Sequence, residues 1–121
     1  MKSNVDLQER TKRFAVRILK LYRSLPKTEE ARVLGKQILR SGTSIGANYR
    51  AASRARSRAE FVAKLGIVLE ETDETAFWLE LMQDAGIFPE PKLHDLAQEV
   101  NELIAIFVSS VRTAKGFTSA F

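Results

Sequence analysis

The residues whose types and spacing first suggest chemistry lie in a glycine- and hydroxyl-rich segment at residues 40–50, with the sequence RSGTSIGANYR. A phosphate-binding loop needs a Gly-Lys-Ser/Thr ending after a β-strand, so that the lysine reaches the terminal phosphates. Here Gly46 is followed by Ala47 and Asn48, and no strand pattern precedes the segment. Small residues instead let another helix backbone approach closely. The segment therefore predicts a helix-packing or subunit interface at Ser41, Gly42, Gly46 and Asn48, with the partly buried Asn48 amide fixing register between helices or subunits.

Acidic residues of the second half could suggest a metal or acid–base site, but the partners that such chemistry needs are missing. Four carboxylates fall within residues 70–74. A di-iron bundle requires paired Glu-x-x-His motifs, whereas Pro91 stands three residues before the single histidine, His94. The absence of cysteine excludes disulfides and thiol chemistry, and one histidine excludes a multi-histidine zinc site within one subunit. We therefore expect no catalytic residues, no metal and no cofactor, which is the pattern of a non-enzymatic protein.

A cluster of four arginines without an acidic residue occupies residues 50–58, RAASRARSR. Three of them repeat at i, i+4 and i+8 if the helix continues through the cluster. Guanidinium groups bind phosphate oxygens bidentately, and sequence-independent nucleic-acid binding is mostly this electrostatic contribution. The cluster has no interleaved aromatic residues and the chain has no recognised base-reading module, so sequence specificity is not expected. The residues predicted to bind RNA or DNA are Arg50, Arg54, Arg56, Arg58 and Lys64.

The charge of the chain is divided between its halves. Residues 1–64 hold 16 Lys/Arg against 5 Asp/Glu, whereas residues 65–121 hold 3 against 10. This asymmetry indicates either a polyanionic partner for the basic half or attraction between the halves, within one subunit or between subunits. A basic stripe in the first helix comprises Arg10, Arg13, Arg17 and Lys20. It is either a solvated flank of the core or a contact surface for acidic partners, including the acidic stripe of the third helix.

Helices must position these side chains, because apolar residues recur at helical spacing along nearly the whole chain. Helix-stop and helix-cap signals divide this pattern at Pro26, Thr28, a Ser57/Glu60 capping box, Gly86 and Pro89. The helices are predicted at about residues 5–25, 28–54, 57–86 and 89–115. Four amphipathic helices with short joints predict an all-α protein, an antiparallel up-and-down four-helix bundle forming a single domain over residues 1–121.

The second helix is predicted to continue through Gly42 and Gly46. Each glycine costs about 0.8–1 kcal/mol relative to alanine in a helix, but the apolar phase is unbroken. The continuous helix has room for a bend near Gly42, and a loop over residues 41–47 is the alternative. In the third helix, Phe77 and Trp78 are adjacent and point about 100° apart, so both cannot face one core. We therefore add Trp78 to the predicted interface residues.

The sequence also predicts a cytoplasmic location. The first residues are polar and lead into a charged helix, so no signal peptide is expected. No apolar run approaches the roughly 20 residues that span a bilayer, so no membrane partner is expected either.

Three segments, taken together and in order, resemble a known family. They are RSGTSIGAN at residues 40–48, FVAKL at residues 61–65 and EETDETAFWL at residues 70–79. They are similar to the four-helix bundle proteins of the 23S rRNA intervening-sequence family, and the resemblance covers nearly the whole chain. It implies a bacterial protein that forms a homopentameric ring with a central channel, in a family without a settled activity. The related accessory variability proteins of diversity-generating retroelements bind nucleic acid and a reverse transcriptase, which supports a nucleic-acid role by analogy.

Two functions follow from these observations. The first is a self-assembling, non-enzymatic bundle that binds RNA or DNA through its arginine cluster. The second is a structural or adaptor protein whose charged stripes serve subunit assembly or a protein partner, without a nucleic-acid role. Ring contacts are heterologous, so opposite charges on different surfaces of one chain suit ring closure.

Overall fold

Four long α-helices make up the computed structural model, which describes residues 4–116. They are α1 (Asn4–Ser24), α2 (Glu29–Ser53), α3 (Arg58–Asp84) and α4 (Glu90–Lys115). Each of α1, α2 and α3 packs extensively on the helix that follows it, whereas α1 and α4 approach each other only sparsely. The predicted all-α, antiparallel up-and-down four-helix bundle is confirmed. One end of the bundle contains the α2–α3 connection, the start of α1 and the end of α4.

The core consists of the apolar faces that the helical spacing predicts. Each helix contributes one row of buried side chains, and the rows meet on the bundle axis. The largest fully buried side chains are Phe14 and Ile18 from α1, Ile38 and Ile45 from α2, Leu65 and Leu79 from α3, and Leu93, Leu103 and Phe107 from α4. None of the four helices within the described residues is long and apolar enough to cross a bilayer.

Caps fix the helix ends. The Thr28 hydroxyl accepts a hydrogen bond from the Ala31 amide at 3.2 Å, and the Ser57 hydroxyl accepts one from the Glu60 amide at 3.1 Å. The Glu60 carboxylate accepts from the backbone amide of Arg56 at 2.9 Å, so it reaches one residue further back than the usual capping box. After α3, Gly86 adopts a left-handed conformation with φ of 67°, which suits a residue without Cβ.

Helix α2 runs without interruption through Gly42 and Gly46, and its glycines face α1. A Cβ at Gly42 would lie 2.9 Å from Ile18 Cγ1, and one at Gly46 would lie 3.3 Å from the Thr11 hydroxyl oxygen. Gly35, seven residues before Gly42, likewise lies against Tyr22 of α1 and Leu25, the residue that follows α1. The three glycines therefore form a seam that allows α1 and α2 to approach closely.

Polar contacts join the remaining helix pairs. The Thr75 hydroxyl donates to the Ser41 hydroxyl at 2.9 Å inside the α2–α3 interface. On the surface of the same interface, Arg40 donates to Glu71 and Glu74.

Helices α1 and α4 are bridged by one arginine. Arg10 donates to Glu99 at 2.7 and 2.9 Å and to Glu102 at 2.7 Å. The hydrogen bonds that Arg10 donates to Glu99 raise the pKa of the Arg10 guanidinium above its ordinary value, so this group stays charged. The bridge spans the α1–α4 interface, where the two helix backbones pack less closely than at the α1–α2, α2–α3 and α3–α4 interfaces.

Candidate nucleic-acid interface

The arginine cluster lies where α2 turns into α3. Helix α2 ends at Ser53, Arg54 is its C-cap, and α3 begins at Arg58. The backbone amides of residues 54 and 55 donate to the carbonyls of Ala51 and Ala52, which tightens the last turn. The helix does not continue through residues 54–57, so the i, i+4, i+8 arrangement of arginines on one helix face does not form. The turn instead gathers the arginines at one end of the bundle.

The side chains of Arg50, Arg54, Arg56 and Arg58 are all exposed. Among the described residues, no carboxylate lies within ion-pair distance of these four guanidinium groups. The Glu60 carboxylate, which lies nearest in sequence, is engaged by the backbone of Arg56 rather than by its side chain. Arg50 also occupies the last turn of α2, where a positive charge is favoured by the helix dipole.

The last turn of α4 lies beside this cluster. Arg58 Nε donates to the backbone carbonyl of Ala114 at 2.8 Å, which satisfies one of the free carbonyls at the end of α4. The exposed Arg112 belongs to the same turn. Sequence reasoning missed Arg112, although an antiparallel topology brings the end of α4 to the α2–α3 connection. We call the set Arg50, Arg54, Arg56, Arg58 and Arg112 the basic pole.

Lys64 lies outside the basic pole. It stands six residues after the start of α3, roughly 9 Å along the helix axis. Its side chain is partly buried, on the flank of the helix rather than at its end. It therefore does not belong to the cluster that the turn creates.

The residues predicted to form an interface fall into different environments. Ser41 is fully buried, with its hydroxyl bonded to Thr75, so it belongs to the α2–α3 contact. The Asn48 amide donates to the Ser44 carbonyl at 2.9 Å, within its own helix. In the isolated chain Asn48 therefore does not link two helices.

Trp78 and Phe77 are adjacent in α3 and differ in burial. Trp78 is partly buried against the core, and its indole N–H donates to Glu74 at 3.2 Å. Phe77 meets the Trp78 ring edge-on, with ring centroids 5.1 Å apart, and is 53% exposed. Phe77 is thus the more accessible of the two rings. Helical spacing could have distinguished them, because Phe77 lies nearly opposite the buried row of α3 whereas Trp78 lies at its flank.

Within the described part of the chain the acidic side chains do not gather into a metal site. No group of three or more His, Cys, Asp or Glu side chains among them is placed to hold a metal ion. Two of the α3 carboxylates, Glu71 and Glu74, are engaged by Arg40. The feature that remains chemically distinctive is a set of accessible guanidinium groups, whose strongest ligands are phosphate and carboxylate oxygens.

An all-helical bundle with a basic pole is therefore the class of protein that fold and site define. The family model for 23S rRNA-intervening sequence protein matches residues 3–109, and the chain belongs to this family. A crystal structure from Bacteroides thetaiotaomicron, described as a protein of unknown function from the S23 ribosomal protein family, is 38% identical with a TM-score of 0.83. The match covers 90% of this chain and 97% of that one. No curated protein matches the chain.

Proposed function

We propose that this protein is a non-enzymatic cytoplasmic bundle that binds RNA or DNA without strong sequence specificity and assembles into a homopentameric ring. The observation that supports binding most directly is the basic pole. Three of its arginines, Arg50, Arg54 and Arg56, make no hydrogen bond or ion pair through their side chains among the described residues. Arg10 and Arg40, by contrast, form ion pairs with carboxylates of their own chain.

Phosphate is the ligand that this geometry favours. Exposed guanidiniums that neutralise phosphates release condensed counterions, which drives association and makes it steeply dependent on salt. The α2–α3 connection contains no aromatic residue on which a base could stack, so the backbone rather than the bases would be contacted. The resemblance to ring-forming family members supports the assembly, because a ring repeats one modest pole several times and adds avidity.

The binding proposal is tested by fluorescence anisotropy with labelled RNA and DNA strands at several salt concentrations. We expect affinity to fall steeply with salt and to be similar for strands of equal length and different sequence. The variant Arg50→Ala/Arg54→Ala/Arg56→Ala should reduce the slope of log K against log salt by about 2–3, since each lost phosphate contact removes roughly 0.7–0.9.

A matched control removes three cations from the opposite end of the bundle. Arg23, Lys27 and Lys36 are exposed and pair with no carboxylate among the described residues. Their triple alanine variant changes the net charge by the same amount and should keep most of the salt slope. Equal losses in both variants would show a general charge effect, and no binding at low salt would remove the nucleic-acid role altogether.

A second candidate function is that of an assembly or adaptor protein without a nucleic-acid role. The exposed Phe77 on the acidic surface of α3 favours it, because a large accessible aromatic ring is a common anchor of protein interfaces. Assembly that dissociates in salt, together with no anisotropy change with any strand, is the result that this alternative predicts.

A further inference from the structure

A groove with a cationic rim runs along the seam between α1 and α4, where the two helices pack least closely. Among its apolar residues Phe88 is partly exposed, whereas Phe14, Leu21 and Leu96 are buried beneath the surface. Four exposed cations stand along it: Arg13, Arg17, Lys20 and Lys92. Two carboxylates also line it, namely Glu99, which Arg10 already engages, and Asp95. We call this surface the seam groove.

None of the four rim cations forms an ion pair with a carboxylate of the described residues. Lys92 lies over the Phe88 ring, 5.9 Å from its centroid, which holds the cation at the apolar lining. The rim cations therefore remain available to an acidic partner, and the partly exposed Phe88 ring offers apolar surface beside them.

A surface of opposite character occupies the outer side of α3. Asp73, Phe77 and Glu80 line a groove that α3 forms with α4. Glu70 and Asp84 lie seven residues before and after Phe77, so helical spacing places them on the same face. All four carboxylates are exposed and unpaired within the described part of the chain, and Phe77 projects between them with 53% of its surface accessible. We call this surface the acidic face.

We infer that the acidic face of one copy docks into the seam groove of a second copy, with Phe77 entering between the rim cations to contact the partly exposed Phe88 ring. This inference names the contact for the ring assembly proposed above and rests on that assembly. Complementary charge supports the choice of occupant, because four unpaired carboxylates around one aromatic ring meet four unpaired cations in the groove that Phe88 lines. One chain carries both the acidic face and the seam groove, so a second copy can supply each surface.

The two surfaces lie on different sides of the bundle and share only α4. One copy can therefore use its seam groove for one neighbour and its acidic face for another. Such a head-to-tail contact is heterologous, and it closes into a ring rather than a two-fold dimer when the rotation per copy divides the circle.

Charge reversal with rescue tests the contact, with molecular mass measured by light scattering and sedimentation. The variants Arg13→Glu/Arg17→Glu and Asp73→Lys/Glu80→Lys should each dissociate into monomers, because like charges then face each other. Combining all four changes restores complementarity, and the combined variant should recover the native mass. Circular dichroism should show native helix content in every variant, since these side chains are exposed and lack partners within the described chain.

A milder variant separates contact from charge. Phe77→Ala should weaken assembly by about tenfold or more, as expected for a central aromatic anchor. Val33→Ala is the matched control, because Val33 is 50% exposed and lies on α2, away from both surfaces. Its mass distribution should be that of the native chain.

The outcomes separate the interface from the proposed function. An oligomeric native chain whose mass survives both charge reversals would overturn this interface and leave the ring intact. A native chain that is monomeric at all concentrations would overturn the ring and the interface together. A combined variant that fails to reassemble although it is helical would show that the two surfaces do not meet.

Discussion

At the scale of single residues, Gly42 lies against a rigid, fully buried neighbour in α1. A Cβ at this position would lie 2.9 and 3.1 Å from the two γ carbons of Ile18. Ile18 is fully buried and β-branched, so it cannot rotate away without disturbing the core. We predict that Gly42→Ala destabilises the fold by about 0.5–2 kcal/mol, since overpacking costs about 1–3 and better helix propensity returns about 1. Urea denaturation followed by circular dichroism measures this change.

Gly66 provides the matched control for Gly42. It lies inside α3, and a Cβ there would meet nothing within 4 Å. Gly66→Ala should therefore stabilise the fold by about 0.5–1 kcal/mol, which is the helix preference of alanine alone. If both variants shifted stability in the same direction, contact with α1 would not be what requires glycine in the seam.

At the scale of helices, the contact between α1 and α4 is stabilised by Arg10. The Arg10 and Glu99 side chains are only 18% and 17% exposed, so the bridge is partly shielded from water. We predict that Arg10→Ala destabilises the fold by about 1.5–3 kcal/mol, because three charged hydrogen bonds are lost and Glu99 is left without its partner. Hydrogen exchange should show the largest loss of protection in α1 and α4.

The exposed pair Arg32–Glu29 is a suitable comparison for the Arg10 bridge. Its side chains are 59% and 79% exposed and belong to the same helix, so Arg32→Ala should cost about 0.5 kcal/mol or less. Equal losses in Arg10→Ala and Arg32→Ala would contradict a bridging role for Arg10.

Local signals in the sequence were sufficient for the elements but not for their partners. The Thr28 and Ser57 caps are recognisable in the sequence as hydroxyl residues that precede a first turn with an acidic residue. The observed helix bounds differ from the predicted ones by two residues or fewer. Helical phase assigns each residue to a face, but it does not say which neighbouring helix that face meets. Arg10 meets Glu99, and the α2 glycines meet α1, because of the order of the helices around the bundle. Gly35 was detectable from its spacing to Gly42, yet its contact with Tyr22 was not.

The candidate site shows the same limit. The arginines of residues 50–58 were visible as a cluster, but a four-residue turn rather than a continuous helix decides how they are presented. Arg112 joins them only because α4 returns to the same end, where Arg58 contacts Ala114. Phe77 lies nearly opposite the buried row of α3, so helical spacing alone could have identified it as the more accessible ring. The packed structure adds that Trp78 lies against the core and donates to Glu74.

At the scale of the whole molecule, the two proposals reinforce each other geometrically. The seam groove and the acidic face both run along the length of the helices, so copies that meet through them stand side by side. Cyclic symmetry then places every basic pole at the same end of the ring. A long nucleic-acid strand could contact several poles at once, whereas a short strand could occupy one.

The length of the nucleic-acid strand should therefore distinguish the contribution of ring assembly to affinity from the contribution of a single basic pole. We predict that Phe77→Ala lowers affinity for a strand of about 40 nucleotides by roughly 10²-fold or more, and leaves affinity for about 8 nucleotides unchanged, because only avidity is lost. Anisotropy titrations at one fixed salt concentration measure both, and Arg50→Ala/Arg54→Ala/Arg56→Ala should weaken both strands. Phe77 is not part of the basic pole, so an equal loss for short and long strands would contradict this division of roles. Unchanged binding of the long strand by a monomeric Phe77→Ala variant would mean that the ring adds nothing to nucleic-acid affinity.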